Sequence, residues 1–315
     1  MKRHSPLFVA AAIAAAGLLP LSMSAADWKA PRTPWGDPDL QGVWSTGAEM
    51  STPFERPAQF GTRQLLTDEE FEQRLKQASG NTGAFAGAST DPPSHWIERG
   101  QATRHTSVVV DPPDGRLPAI TPEGRQRQAA GPPPFGNGPF DGPEDTSLWV
   151  RCITRGMPGV MFPTVYNANA RIAQGPGYVA ITYEMIHDTR VIPLDGRPHL
   201  SSGMRQYLGD ARGHWEGNTL VVETTNFTSR THFGYNNRYN SEAFRLVERF
   251  TPVAPDKVQW EVTFHDPEVW TRPFTFRMPL TRDESQPIFE YACHEGNLGL
   301  EHILSAARAE EKVKR

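Results

Sequence analysis

The stretch Lys257-Val-Gln-Trp-Glu-Val-Thr-Phe-His265 decides the fold class, because apolar and polar side chains alternate along it. A period of two is that of a β-strand, whose successive side chains point to opposite faces of a sheet. The stretch is therefore predicted to be a strand with one apolar and one polar face. The pattern leaves open which face lines the interior: Val258, Trp260, Val262 and Phe264, or Gln259, Glu261, Thr263 and His265.

Similar signals continue on both sides of this strand. Residues 169–183 read as a hairpin around the Gly-Pro-Gly turn at 175–177, and residues 213–225 read as a second hairpin around Gly217-Asn218. Short strands at close spacing without intervening helices are typical of antiparallel barrels and sandwiches. The sequence predicts a mainly β fold, with a barrel favoured over a sandwich. The remaining predicted strands are 190–194, 244–250, 271–280 and 288–293, and a short helix follows them at the C-terminus.

The N-terminal part of the sequence differs in composition. A turn-rich lead enters a strand at Gly42-Val-Trp44, and a helix is predicted over residues 67–78, where Thr67 and Glu70 form a capping box. Residues 80–142 are rich in Pro and Gly and contain one predicted strand, 106–110, so they indicate a long surface arm. We therefore divide the chain after the first 26 residues into 27–145, the N-terminal strand, helix and arm, and 146–315, the barrel with its C-terminal helix.

Two resemblances support this interpretation. Gly42-Val-Trp44, ahead of a β-rich chain, resembles the Gly-x-Trp start of lipocalins and related calycin barrels. The blocks at 183–190, 209–226 and 291–297 resemble a large family of secreted bacterial proteins that has no assigned activity. The first resemblance implies a lipocalin-like barrel, and the second implies a secreted β-rich protein without implying a mechanism.

The first 26 residues read as a secretory signal peptide. Lys2 and Arg3 form a basic start, residues 6–21 are mostly apolar, and Ser24-Ala-Ala26 offers a small-residue cleavage site. We expect a periplasmic or secreted protein whose mature chain does not insert into a membrane. Soluble ATP and reduced nicotinamides are not available there, so enzymes that depend on them are excluded.

The charge balance argues against nucleic acid as a partner. The chain has 32 Lys and Arg against 36 Asp and Glu. Loss of Lys2 and Arg3 with the signal peptide leaves 30 basic and 36 acidic side chains, a net charge of −6. Nucleic-acid binding requires clustered basic residues instead.

The two cysteines, Cys152 and Cys293, are expected to form a disulfide. An isolated pair in an oxidising compartment is most simply a bridge, which would close a large loop. The alternative is a nucleophilic cysteine, to which the neighbouring His294 draws attention.

Candidate site residues fall on two strands. The segment 184–190 brings Glu184, His187 and Arg190 together, with His187 expected on a turn at the barrel rim, where a histidine is suited to acid–base chemistry. Glu248 interrupts an apolar strand face, so it must be paired or protonated there. The alternatives are a polar surface turn for the first group and, for Glu248, a structural salt bridge to Arg190 or Arg212.

Further residues are candidates for ligand contact. His294 and Glu295 directly follow the expected bridge cysteine, Arg212 precedes a turn, and Trp260 is a candidate pocket wall together with Phe264, Phe274 and Phe276. The sequence contains no familiar zinc or calcium motif, and no metal or other cofactor is expected. The alternative that the spacing leaves open is a metal held by His187, His265 and His294 converging across strands.

The leading hypothesis is an extracytoplasmic β-barrel that binds a small organic ligand in a polar and aromatic cup. The alternative is a lyase, isomerase or hydrolase that uses the same cup for acid–base chemistry without a cofactor, with His187 or Glu248 moving a proton. A third possibility is an interaction module that binds a partner through the Pro-rich residues 92–143. The sequence leaves the oligomeric state open.

Overall fold

The computed structural model describes residues 28–80, 102–130, 138–164, 166–231, 240–285 and 287–313. The expected signal peptide, residues 1–26, lies outside the described residues, as do large parts of the Pro- and Gly-rich arm. No helix in these ranges is both long and apolar enough to span a membrane. The helices are α1 (Asp68–Gly80), α2 (Pro122–Ala130) and α3 (Leu298–Val313).

Ten strands form one antiparallel sheet among the described residues. They are β1 (Gly42–Ser45), β2 (Val109–Asp111), β3 (Asn169–Gly175), β4 (Tyr178–Tyr183), β5 (Thr189–Pro193), β6 (Asp210–Glu216), β7 (Thr219–Thr225), β8 (Arg245–Ala254), β9 (Lys257–His265) and β10 (Phe274–Arg282). Their spatial order is β5-β4-β3-β1-β10-β9-β8-β7-β6, with β2 paired to β10.

The sheet curls into a nearly closed barrel, which confirms the predicted fold class. Its two end strands, β5 and β6, come together: a Cβ added at Gly213 of β6 would lie 2.9 Å from a side-chain carbon of Ile192 and 2.7 Å from one of Leu194. Glycine at this position therefore lets the two ends of the sheet approach closely.

The barrel uses more of the chain than residues 146–315. β1 lies between β3 and β10, with Trp44 opposite Ala170 and Arg282, and β2 extends the pairing of β10. The residues assigned to a separate N-terminal part thus contribute two strands. The predicted helix is confirmed as α1, and its capping box forms, with Glu70 N–H donating to Thr67 and Thr67 N–H donating to the Glu70 carboxylate.

Two sequence predictions of local structure were wrong. Residues 288–293 form no strand, because side chains rather than a neighbouring strand bind this segment: Phe289 N–H donates to Glu184 Oε1 over 3.1 Å. The arm also contains α2, whose residues are strongly polar; it is fixed through Gly124, which packs against Ile120 and Val269.

The apolar face of β9 lines the interior. Val258, Trp260 and Val262 are 0 % exposed and Phe264 is 1 % exposed, so the alternative of a lumen lined by the polar set is wrong. Aromatic rings fill the space: Phe264 stacks on Phe274 with centroids 4.5 Å apart, and Trp260 meets the edge of Phe276 at 5.2 Å. The aromatic residues expected to be the walls of a ligand cup are instead packed against one another as core.

One ion pair is buried in this apolar interior. Arg190 of β5 donates from Nη1 to Glu248 Oε2 over 2.6 Å and from Nη2 to Oε1 over 3.1 Å, and Trp260 Nε1 donates to Oε1 over 3.2 Å. The two charged side chains are 3 % and 0 % exposed. Of the two interpretations of Glu248, the structural salt bridge to Arg190 is the one that the contacts support.

We expect Glu248→Ala to lower the free energy of unfolding by about 3–5 kcal/mol, because it leaves the Arg190 charge buried without its partner. The control is Glu261→Ala on the neighbouring strand, which removes a partly exposed pair with Arg277 and should cost no more than about 1 kcal/mol. Urea denaturation measures both. Equal losses in the two variants would contradict this role for the pair.

Candidate functional site at the barrel rim

The predicted site residues do not converge on one cup. Arg190, Glu248 and Trp260 lie together in the packed interior, as described above. Glu184 and His187 lie at one end of the barrel, in and beside the short turn Met185–His187 that joins β4 to β5. Arg212 lies on β6, where its guanidinium binds Asp210 Oδ1 at 2.6 Å and the Pro198 carbonyl at 3.1 Å.

The Glu184 side chain is buried and joins two segments of the rim by hydrogen bonds. Its side chain accepts a hydrogen bond from Asn169 Nδ2 over 2.8 Å and one from the backbone N–H of Phe289 over 3.1 Å. Asn169 begins β3, and Phe289 belongs to the irregular segment after β10. The carboxylate therefore fastens that segment to the rim, and it has no room to reach a ligand in solvent.

His187 is exposed at the rim and holds the same segment from another side. Its Nδ1 lies 3.0 Å from the Tyr291 carbonyl oxygen. A carbonyl only accepts, so Nδ1 carries the hydrogen, and Nε2 is the nitrogen left for other partners. The next residue, Asp188, accepts from Thr154 Oγ1 over 2.7 Å, and partial burial raises the pKa of its carboxyl.

The disulfide is a third attachment of the segment. Cys152 and Cys293 are bonded, so the expected bridge is present and the nucleophilic-cysteine alternative is wrong. Asn297 Nδ2 reinforces this connection by donating to the Val150 carbonyl over 3.0 Å. His294 and Glu295 follow the bridge and are exposed, so they lie near the rim without a fixed position in it.

Four residues that sequence reasoning missed complete the site. The guanidinium of Arg155 lies 4.3 Å above the ring of Trp149, and Tyr166 and Tyr291 are close enough to affect its charge. We call Trp149, Arg155, Tyr166, His187 and Tyr291 the rim cluster. Arg155 is three residues from Cys152 and Tyr291 two from Cys293, so proximity to the predicted bridge was the available signal.

Burial changes the protonation behaviour of the rim cluster. Desolvation raises the pKa of Tyr291 to about 12, and a hydrogen bond with Tyr166 adds to the increase. Desolvation also lowers the pKa of Arg155. Arg155 Nη1 is buried and has no hydrogen-bond partner among the residues that the structure describes. A buried guanidinium donor without an acceptor is costly, so an acceptor oxygen placed at Nη1 would be stabilising.

Backbone strain is concentrated at the same end of the barrel. Four of the five non-glycine residues with positive φ in the described ranges belong to it: Cys152 (56°), Asn167 (52°), Ile186 (61°) and His187 (49°). This conformation is most unfavourable for a β-branched residue such as Ile186. Strained backbone persists where surrounding contacts enforce it, and it clusters at functional sites.

The donors of the rim cluster suit an oxygen-rich organic group. A guanidinium, two phenols and an imidazole provide hydrogen bonds, and the rings of Trp149 and the tyrosines provide flat apolar surface. In the described ranges, no group of three or more His, Cys, Asp or Glu side chains is arranged to hold a metal ion.

Comparisons with protein-family models, with curated proteins and with solved structures found no match for this chain. The two family resemblances of the sequence therefore stay predictions, and the function has to be argued from the site itself.

We expect the free energy of unfolding to fall as the pH rises from about 10 to about 12, because the unfolded chain releases the Tyr291 proton near pH 10 while the folded chain retains it until about pH 12. Tyr291→Phe should make this fall shallower. The control Tyr178→Phe, which removes an exposed hydroxyl of β4, should not. Urea denaturation across this pH interval is the measurement, and equal slopes for Tyr291→Phe and the parent protein would contradict the assignment.

Proposed function

We propose that this protein is an extracytoplasmic β-barrel that binds a small organic ligand at the rim cluster. The compartment rests on the signal-peptide pattern of residues 1–26, which predicts a periplasmic or secreted protein. The site differs from the lumenal cup that the sequence suggested, because the residues expected to line that cup are packed as core.

The unpaired Nη1 of Arg155 carries the proposal. The guanidinium is held in place by stacking on Trp149, so its direction is fixed before any ligand arrives. A carboxylate, phenolate or carbonyl oxygen placed at Nη1 would give the buried donor the acceptor that it lacks. The ligand is therefore a small organic molecule with an exposed acceptor oxygen.

The aromatic members of the rim cluster extend this description of the ligand. Trp149, Tyr166 and Tyr291 are each partly buried and partly exposed, which leaves ring surface for an apolar body. Aromatic walls with a few directed polar groups are the usual composition of a small-molecule site. An aromatic carboxylate satisfies both requirements.

The packed interior is consistent with a site outside it. Met157 and Met161, from the segment between the disulfide and β3, are 0 % exposed and belong to the same apolar core as the barrel strands. A ligand in the lumen would have to displace these side chains or the rings beside Glu248, which would cost several kcal/mol of core packing.

A cofactor-independent lyase, isomerase or hydrolase is a second candidate function, favoured by the geometry of His187. Its Nδ1 is fixed by the Tyr291 carbonyl, and this leaves Nε2 as a base at the surface of the rim cluster. In that case His187 would move the proton, and Arg155 would stabilise the negative charge that develops.

Native mass spectrometry of the mature protein from an oxidising compartment tests the proposal, with benzoate added as the probe where no organic mass co-purifies. We expect the parent protein to hold one ligand at the rim cluster and Arg155→Met to lose it, because the acceptor oxygen loses the charged donor at Nη1. The matched control is Arg151→Met, which removes an arginine four residues away that pairs only loosely with Glu144.

Arg155→Lys separates charge from geometry, since it keeps the charge but lacks the planar guanidinium. Melting temperatures of all variants show whether each is folded. Ligand retained unchanged by folded Arg155→Met would contradict the proposal. A co-purifying mass that changes during incubation would favour the enzyme over the binding protein.

A further inference from the structure

A groove on the outside of the barrel carries a second set of functional groups. It has a volume of about 390 Å³ and is lined by residues 102–105, by Phe71 of α1 and by outward-facing side chains of β9 and β10. Gln259 and Arg277 face outward, because they alternate along their strands with the buried Trp260 and Met278. None of the lining residues belongs to the rim cluster.

Every charged side chain among the residues described as lining the groove is basic: Arg104, Lys257 and Arg277. This is notable in a chain whose net charge is −4. Lys257 forms no ion pair within the described parts of the chain. Arg277 uses Nε and Nη2 to bind Glu261 Oε1, which leaves Nη1 for another acceptor. Arg104 pairs with Asp68 and Arg277 with Glu261, so the groups left for an anion are the Lys257 ammonium and Arg277 Nη1.

His105 also lines the groove, and a buried carboxylate orients it. Its Nδ1 lies 2.7 Å from Glu49 Oε1, while Thr103 Oγ1 donates to Oε2 over 2.8 Å. Glu49 is 1 % exposed, whereas the His105 side chain is 35 % exposed. Because Nδ1 donates to the carboxylate, Nε2 is the nitrogen free to meet a ligand.

Contacts with α1 hold the segment that bears His105 in place. Arg74 of α1 donates from Nη1 to the Thr103 carbonyl over 3.0 Å and also to the His105 carbonyl. Arg104 pairs with Asp68 at 2.6 Å, and its guanidinium lies 4.6 Å above the Phe71 ring. Arg104 and the segment that bears His105 are thus held in position before binding, which lowers the entropic cost of binding.

The remaining walls are apolar. Phe71, Val253 and Pro279 line the groove together with the basic residues, and Val253 is 41 % exposed. Inorganic anions would use only the basic part of such a surface. An anion with an apolar body would use both parts.

We propose that this groove is a second ligand site, separate from the rim cluster, that binds a small organic anion through Lys257, Arg277 and His105. The ligand carries a phosphoryl or carboxylate group on an apolar body. Glu49 positions His105 and does not itself contact the ligand, because both of its oxygens are already bound inside the protein.

Isothermal titration calorimetry of the mature protein tests this site with phenyl phosphate and benzoate as probes. Phenol and inorganic phosphate serve as the two halves of the first probe. Phenyl phosphate or benzoate, or both, should bind more tightly than phenol and inorganic phosphate do. The organic anion that binds more tightly identifies the anionic group of the ligand. The titrations are made in the Arg155→Met background, because the rim cluster is itself expected to bind benzoate through Arg155.

Lys257→Gln should weaken binding of the tighter anion about threefold to fivefold, the effect of losing one exposed charge partner. His105→Gln should also weaken it, although its amide can still donate to Glu49. The matched control is Lys312→Gln, an exposed lysine of α3, which should bind as the parent protein does.

Two results would overturn the proposal. One is the absence of binding by either organic anion at about 10 mM, above the range of weak sites. The other is an unchanged affinity in both Lys257→Gln and His105→Gln when melting temperatures show that both variants are folded.

Discussion

The structure depends on a buried charge pair. Arg190 stands on β5, an end strand of the sheet, and Glu248 stands on β8, so their double hydrogen bond crosses the interior of the barrel. A buried carboxylate and guanidinium are tolerated only together, because either one alone would face apolar side chains. The pair, with Trp260 as an additional donor, connects β5 and β8, two strands that are not neighbours in the sheet.

Because the lumen is filled with side chains, both candidate sites lie outside the barrel interior. At the rim, an irregular segment takes the place of a strand and is held by Glu184, by His187 and by the disulfide. This segment brings Tyr291 to Arg155, which lies on the other side of the disulfide. The backbone is strained at Ile186 and His187, in the turn that places the His187 imidazole at the rim.

The sequence predicted the parts of the fold that local patterns encode. The alternation of residues 257–265, the hairpins and the capping box at Thr67 all formed as expected. The local pattern did not show which face of β9 lines the interior, because this depends on where the other strands place their apolar side chains. The strand predicted at 288–293 failed for a similar reason, since side chains of distant residues bind that segment.

The residues of the two candidate sites were harder to predict, because their partners are far apart in the chain. Arg155 and Tyr291 belong to distant segments of the chain that the Cys152–Cys293 disulfide joins. Glu49 and His105 are separated by 56 positions, and no motif joins them. Glu248 differs from these residues: its burial was predicted from the strand pattern, and its contacts are those of the structural salt bridge to Arg190, one of the two interpretations of that pattern.

In the proposed function, the ligand binds at the rim cluster while the barrel interior stays packed. A crystal structure of the mature protein with bound benzoate tests it most directly. We expect a carboxylate oxygen within hydrogen-bond distance of Arg155 Nη1, with the Arg190–Glu248 pair and the ring of Trp260 unchanged. Benzoate inside the barrel, with Trp260 or Phe264 displaced and Arg155 unoccupied, would contradict it.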